Sequence, residues 1–225
     1  MVPLPLHNMS YLLNQQGSLL KTEIPKKISD RNRIVSKGTL NVWKGNHLDK
    51  LVQLTVKGLH MYYYDFGIAY PSKSIAYPIF FYQIISAPKR VLVVVHYAFY
   101  NKQNIEAFHG FEELLRLDTE YSDMLIKGFE PQSFIVEDVI PNAFNGLVRT
   151  TEIDKAHERV SALFEKWHEG LKAAPNSTEE ELGAYHQWLT SFKQKFYKED
   201  YGYTAAKRFL GEKWAKEVFK EYLFS

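Results

Sequence analysis

The run Arg90-Val91-Leu92-Val93-Val94-Val95-His96-Tyr97-Ala98 is apolar at consecutive positions through its centre. Side chains alternate across an extended chain, so a strand here is oily on both faces and needs a layer on each side of it. Reading backwards from it, Ala87-Pro88-Lys89 turns the chain and Ile75 to Ile85 is the preceding strand. Leu59 to Phe66 is another, with His60, Tyr62 and Tyr64 on one face and Met61 and Tyr63 on the other. Lys57-Gly58 marks a hairpin before it, Lys50 to Val56 and Thr39 to Lys44 supply two more strands, and Gly45-Asn46 turns between them. Gly67 to Ser74 reads as a long hairpin tip, because Pro71 cannot donate within a central strand. Short turns between successive strands predict an antiparallel meander.

Outside this block the apolar period lengthens to that of a helix. Upstream, Tyr11 to Leu13 with Leu19 and Leu20 indicates a short helix or two, and Lys26 to Lys37 is polar and expected at the surface. Downstream, Ile105, Phe108, Phe111, Leu114 and Leu115 make one stripe, continuing toward Leu125. Ser133 to Val139 reads as a short β-like insert and Pro141 to Arg149 as a loop. Ile153, Ala156, Val160, Leu163, Phe164, Trp167 and Leu171 define an amphipathic helix that ends before Pro175. Ser177 and Glu180 form a capping-box signal for the next helix, which presents Leu182, Tyr185, Leu189, Phe192 and Phe196. An acidic loop at Asp200 then leads into two short helices separated by Gly211, expected as an αL stop, with Leu210, Trp214, Val218 and Tyr222 on one buried face. Strands followed by helices, with both sheet faces apolar, predict a single α+β domain over residues 1–225: a three-layer α/β/α sandwich with a central antiparallel sheet.

Composition narrows the chemistry. In 225 residues there are 15 Tyr, 15 Phe and 4 Trp, a supply of ring faces suited to a flat conjugated ligand as well as to a core. Cysteine is absent, which excludes disulfides, thiolate metal sites, protein-held iron–sulfur clusters and thioether-attached pigments. His157 and His168 stand eleven apart on one helix, too far for a shared metal, and no metal site is expected. No phosphate-cradling glycine loop or serine-nucleophile elbow occurs. A net charge of +2 gives no argument for nucleic acid, no apolar run reaches membrane-spanning length, and a cytoplasmic monomer is the expectation. The segment Lys193 to Lys220 is net basic, either a solvated helix face or a surface that steers an acidic partner.

Three stretches carry a family resemblance. Asp200 stands eleven residues before Gly211-Glu212-Lys213-Trp214-Ala215, and the segment closes on Leu223-Phe224; this resembles the ferredoxin-dependent bilin reductases. Leu59-His60 ahead of Met61-Tyr62-Tyr63-Tyr64 is similar to the family strand bearing a functional Leu-His. Ala76-Tyr77-Pro78-Ile79-Phe80-Phe81 resembles the family's Asp-Leu-Pro-x-Phe-Gly. The resemblance implies an α/β/α sandwich with its pocket between the sheet and the C-terminal helices. It implies reduction of a linear tetrapyrrole of the biliverdin type, with no permanently bound cofactor and with electrons from an acidic, reduced ferredoxin. It makes Asp200 the leading proton donor and His60 its catalytic companion, with Gln83, His96, Phe81 and Tyr62 against the substrate.

One departure is informative. The family's best-known acid falls on Gln83, and an amide cannot act as an acid near neutral pH. The residues by themselves leave other readings open: Asp200 as a helix cap, His60 and His96 as structural histidines, and the whole as a tetrapyrrole-binding protein without turnover, or the same fold acting on another planar redox molecule.

Overall fold

The computed structural model describes residues 2–58, 61–101, 108, 110–140 and 144–225. In chain order the elements are α1 (Met9–Asn14), β1 (Leu19–Lys21), α2 (Lys26–Ser29), β2 (Asp30–Arg33), β3 (Ser36–Gly45), β4 (Leu48–Gly58), β5 (Tyr62–Pro71), β6 (Ile79–Ala87) and β7 (Arg90–Ala98). There follow α3 (Phe111–Tyr121), β8 (Lys127–Gly128), β9 (Asn145–Val148), α4 (Ile153–Ala173), α5 (Glu179–Glu199), α6 (Tyr201–Leu210) and α7 (Glu212–Val218), which runs into a π-helical turn at Phe219–Leu223.

The strands form one antiparallel sheet in the order β1-β3-β4-β5-β6-β7-β9-β8, with β2 also on β3. From β3 to β7 each strand pairs with the next, the meander that short turns dictate. Two cores lie on its two faces. Phe80, Tyr82, Val93 and Tyr97 pack with Phe164 and Trp167 of α4 and Phe111 of α3. Val52, Leu54, Phe66 and Phe81 pack on the other side with Phe192 and Phe196 of α5 and Leu210 and Trp214 of the last helices. This is the three-layer α+β sandwich, and each helical layer removes from water the stripe its own spacing displays.

Several local expectations are corrected. Gly67 to Pro71 is not a hairpin tip: β5 runs on through it, and Pro71 sits at the strand's last position opposite Leu48, where a missing donor costs least. Residues 75–78 precede β6 rather than belonging to it. The insert at Ser133 to Val139 is a series of turns with one bridge, Ala98 to Val139, whereas the segment read as a loop contains β9, which pairs with β7. Lys26 to Lys37 is structured, since it supplies α2, β2 and the start of β3, and buries Ile28. The capping box is one residue later than expected: Thr178 accepts from the Glu181 N–H and the Glu181 carboxylate accepts from Thr178, while the Ser177 hydroxyl accepts from the Ala76 N–H. Gly211 has φ +98° and ψ 149°, a positive-φ conformation that only glycine adopts readily but not αL. The predicted helical stripe before Phe108 lies mostly outside the described residues.

Candidate active site

The second apolar face of β7 finds its purpose here. Val91, Val93 and Val95 enter the core, while Leu92, Val94 and His96 face a cavity of about 280 Å³. Phe81 and Gln83 of β6, Asn145 of β9, Phe196 of α5 and the segment from Phe129 to Ile135 complete its walls. The wall is mainly aromatic and aliphatic with a few amides, the composition that holds a flat ligand by its faces and orients it by its edges. The Asn145 amide donates to the Phe129 carbonyl at 2.8 Å and so ties the outer segment to the sheet.

Asp200 lies one hydrogen bond behind this wall. No loop precedes it: α5 runs to Glu199, α6 starts at Tyr201, and Asp200 is the single residue at the corner, 4% exposed. Its Oδ2 accepts from the Gly202 N–H at 2.9 Å and its Oδ1 accepts from the Gln83 amide at 3.2 Å. The helix-cap reading and the buried-acid reading therefore describe the same side chain, one oxygen each. Burial pushes the carboxyl up to about 7, against the opposing pull of hydrogen bonds from Gly202, Gln83 and Tyr203. A carboxylic acid poised there can hold or release a proton at neutral pH.

The other expected site residues divide. Gln83, His96 and Phe81 meet in the cavity wall, where the His96 ring stands edge-on to Phe81 with centroids 5.3 Å apart. Tyr62 does not line this cavity. It stacks on Phe209 and Tyr64 and borders a separate open cleft with Lys57 and Val35. His60 lies outside the described residues.

Sequence reasoning missed a second acid. Asp65 on β5 is fully buried on the opposite face, where it accepts from the Gln53 amide at 2.8 Å and from the Tyr63 and Tyr82 hydroxyls at 3.0 Å each. Nε2 of His157, from α4, stands 3.6 Å from it. The available signal was a lone aspartate inside an aromatic strand, Tyr62-Tyr63-Tyr64-Asp65-Phe66.

Fold and site together define a class: an α/β/α sandwich with a buried acid one hydrogen bond behind the wall of an aromatic cavity between the sheet and the C-terminal helices. Among solved structures, the chain is similar to phytochromobilin synthase from tomato in complex with biliverdin, at 16% identity and a TM-score of 0.81, covering 95% of this chain and 79% of that one. The two share a fold. No protein-family model matches the sequence, and no curated protein matches it significantly.

Proposed function

We propose that the protein is a bilin reductase, an oxidoreductase that takes electrons from a reduced ferredoxin and protons from Asp200 to reduce a linear tetrapyrrole of the biliverdin type. The observation that carries this reading is Asp200 itself, buried, raised to about 7 and hydrogen-bonded to Gln83 in the wall of the aromatic cavity. The shared fold supports it, since the tomato protein was solved with biliverdin bound. In this reading Phe81 and Phe196 flank the pigment's ring plane, and Gln83 and His96 orient its polar edge. At about 280 Å³ the cavity lies just below the usual range of ligand pockets, roughly 300–1,000 Å³. A whole tetrapyrrole needs more room than this, so the reading requires the Phe129 to Ile135 wall to yield. Exposed Lys213, Lys216 and Lys220 on the last helical segment give an acidic donor a surface to meet, so the rate falls as salt rises.

Mixing the protein with biliverdin and a ferredoxin reducing system tests this directly. The visible band of the pigment bleaches or shifts; binding with no spectral turnover overturns the enzyme reading. That outcome is the second reading, a tetrapyrrole-binding protein, and the neutral amide of Gln83 where the family places its acid is the observation that favours it.

A further inference from the structure

Asp200 can give up a proton only as often as it regains one. Its own exposure is slight, and a substrate filling the cavity beyond Gln83 keeps water from reaching it on that side. The groups facing Asp200 are Gln83 from β6, Tyr62 and Tyr64 from β5, and the Gly202 and Tyr203 backbone from α6.

Tyr64 is the unusual one. It is 1% exposed, yet its hydroxyl has no hydrogen-bond partner. Such a group loses its solvation without compensation and is uncommon in native interiors. Its oxygen lies beside the acid without bonding to it. A methyl group on Gly202 would lie 2.3 Å from the Tyr64 hydroxyl oxygen and 2.5 Å from Asp200 Oδ2, so both oxygens crowd one point that only glycine leaves open. Tyr62 lies two residues back on the same strand face, its ring stacked on Tyr64 with centroids 6.4 Å apart. Tyr62 also borders the open cleft of about 400 Å³ beside the β2–β3 hairpin.

We propose that Tyr64 and Tyr62 form the route by which Asp200 regains a proton from solvent after giving one to the bound substrate. The proposal rests on the bilin-reduction reading for its timing, not for its geometry. One proton enters from the cleft at Tyr62 and one leaves Tyr64 for the Asp200 carboxylate. Each hydroxyl accepts on a lone pair as it releases its own proton, so no phenolate accumulates. That matters, because burial first and then the Asp200 charge hold the Tyr64 phenol well above its ordinary value, making it a poor standing acid but no obstacle to relay. Two joints remain to be spanned: a small rotation of the Asp200 carboxyl brings it to the Tyr64 hydroxyl, and one bridging water carries the proton between the stacked Tyr62 and Tyr64 rings, whose centroids are 6.4 Å apart.

The test does not need turnover. At pH 6, with biliverdin bound and no reductant present, the infrared band of the protonated Asp200 carboxyl, assigned by its loss in Asp200→Asn, is followed after transfer into heavy water. Tyr64→Phe, which keeps the ring, slows the deuterium shift about tenfold or more, and Tyr62→Phe slows it less. Exchange at the wild-type rate in Tyr64→Phe overturns the relay. If that variant does not fold, Tyr62→Phe decides by the same comparison. With biliverdin and reducing equivalents, Tyr64→Phe keeps pigment affinity and the first proton transfer of a single turnover, while repeated turnover slows. A wild-type protein that never reduces the pigment refutes the enzyme reading and leaves the infrared result to judge the relay alone.

Discussion

Asp65 and Asp200 are both shut away from water, on opposite faces of one sheet, and they are satisfied in opposite ways. Three neutral donors converge on Asp65 from β4, β5 and β6, with an imidazole from α4 beside them. Asp200 has one amide and the backbone of its own helix, and a cavity lies just beyond the amide. The lesson is that burial alone does not mark a working acid. A carboxyl ringed by side-chain donors from three strands ties those strands together; one held mainly by the backbone of its own helix, with a cavity beyond its single side-chain donor, is placed for proton exchange.

The sharpest way to break this contrast is Asp200→Asn. It keeps the Gly202 cap and the size of the side chain, so pigment affinity stays within about twofold while reduction falls about 10²–10⁴-fold, the usual worth of a placed proton donor. Equal losses of affinity and rate would place Asp200 on the side of Asp65. Next comes Asp65→Asn, which turns a donor toward donors and costs about 3 kcal/mol of stability in a denaturant titration. A loss below about 1 kcal/mol would mean that the cluster is not architectural.

The third test is pH. Asp200 has a folded value of about 7 against an ordinary 3.8, so between these values the folded state binds the extra proton. Stability therefore falls as pH rises through this window, by about 2 kcal/mol from pH 5 to 7, and Asp200→Asn removes that slope. A flat profile in the wild type would show that the acid is not desolvated. The smallest effect belongs to Gly202→Ala, whose methyl forces Tyr64 and Asp200 apart. It costs about 1–2 kcal/mol and shifts the Asp200 titration, both measurable on the folded variant.

Legibility in the sequence followed periodicity. The bounds of β7 and the course of α4 were readable because their apolar spacing is long and uninterrupted. Ends set by single contacts were not: Thr178 rather than Ser177 caps α5 because Ser177 is drawn to Ala76, a residue 101 positions away. Of the site, Asp200, Gln83, Phe81 and His96 were visible through matched segments. Tyr64, Asn145 and the Phe129 to Ile135 wall were not, since their roles depend on which distant strand or helix corner they meet.

The chain's own pattern determined the antiparallel sheet, its two apolar faces and the helices that cover them, because two- and three-to-four-residue periods are local properties that any compact fold must honour. Only the tertiary structure decided that one face of β7 is cavity wall rather than core, and that among the buried aspartates Asp65 is enclosed by side-chain donors while Asp200 stands one amide from the cavity. Desolvation and hydrogen-bond supply are set by neighbours far apart in sequence, and no spacing along the chain encodes them.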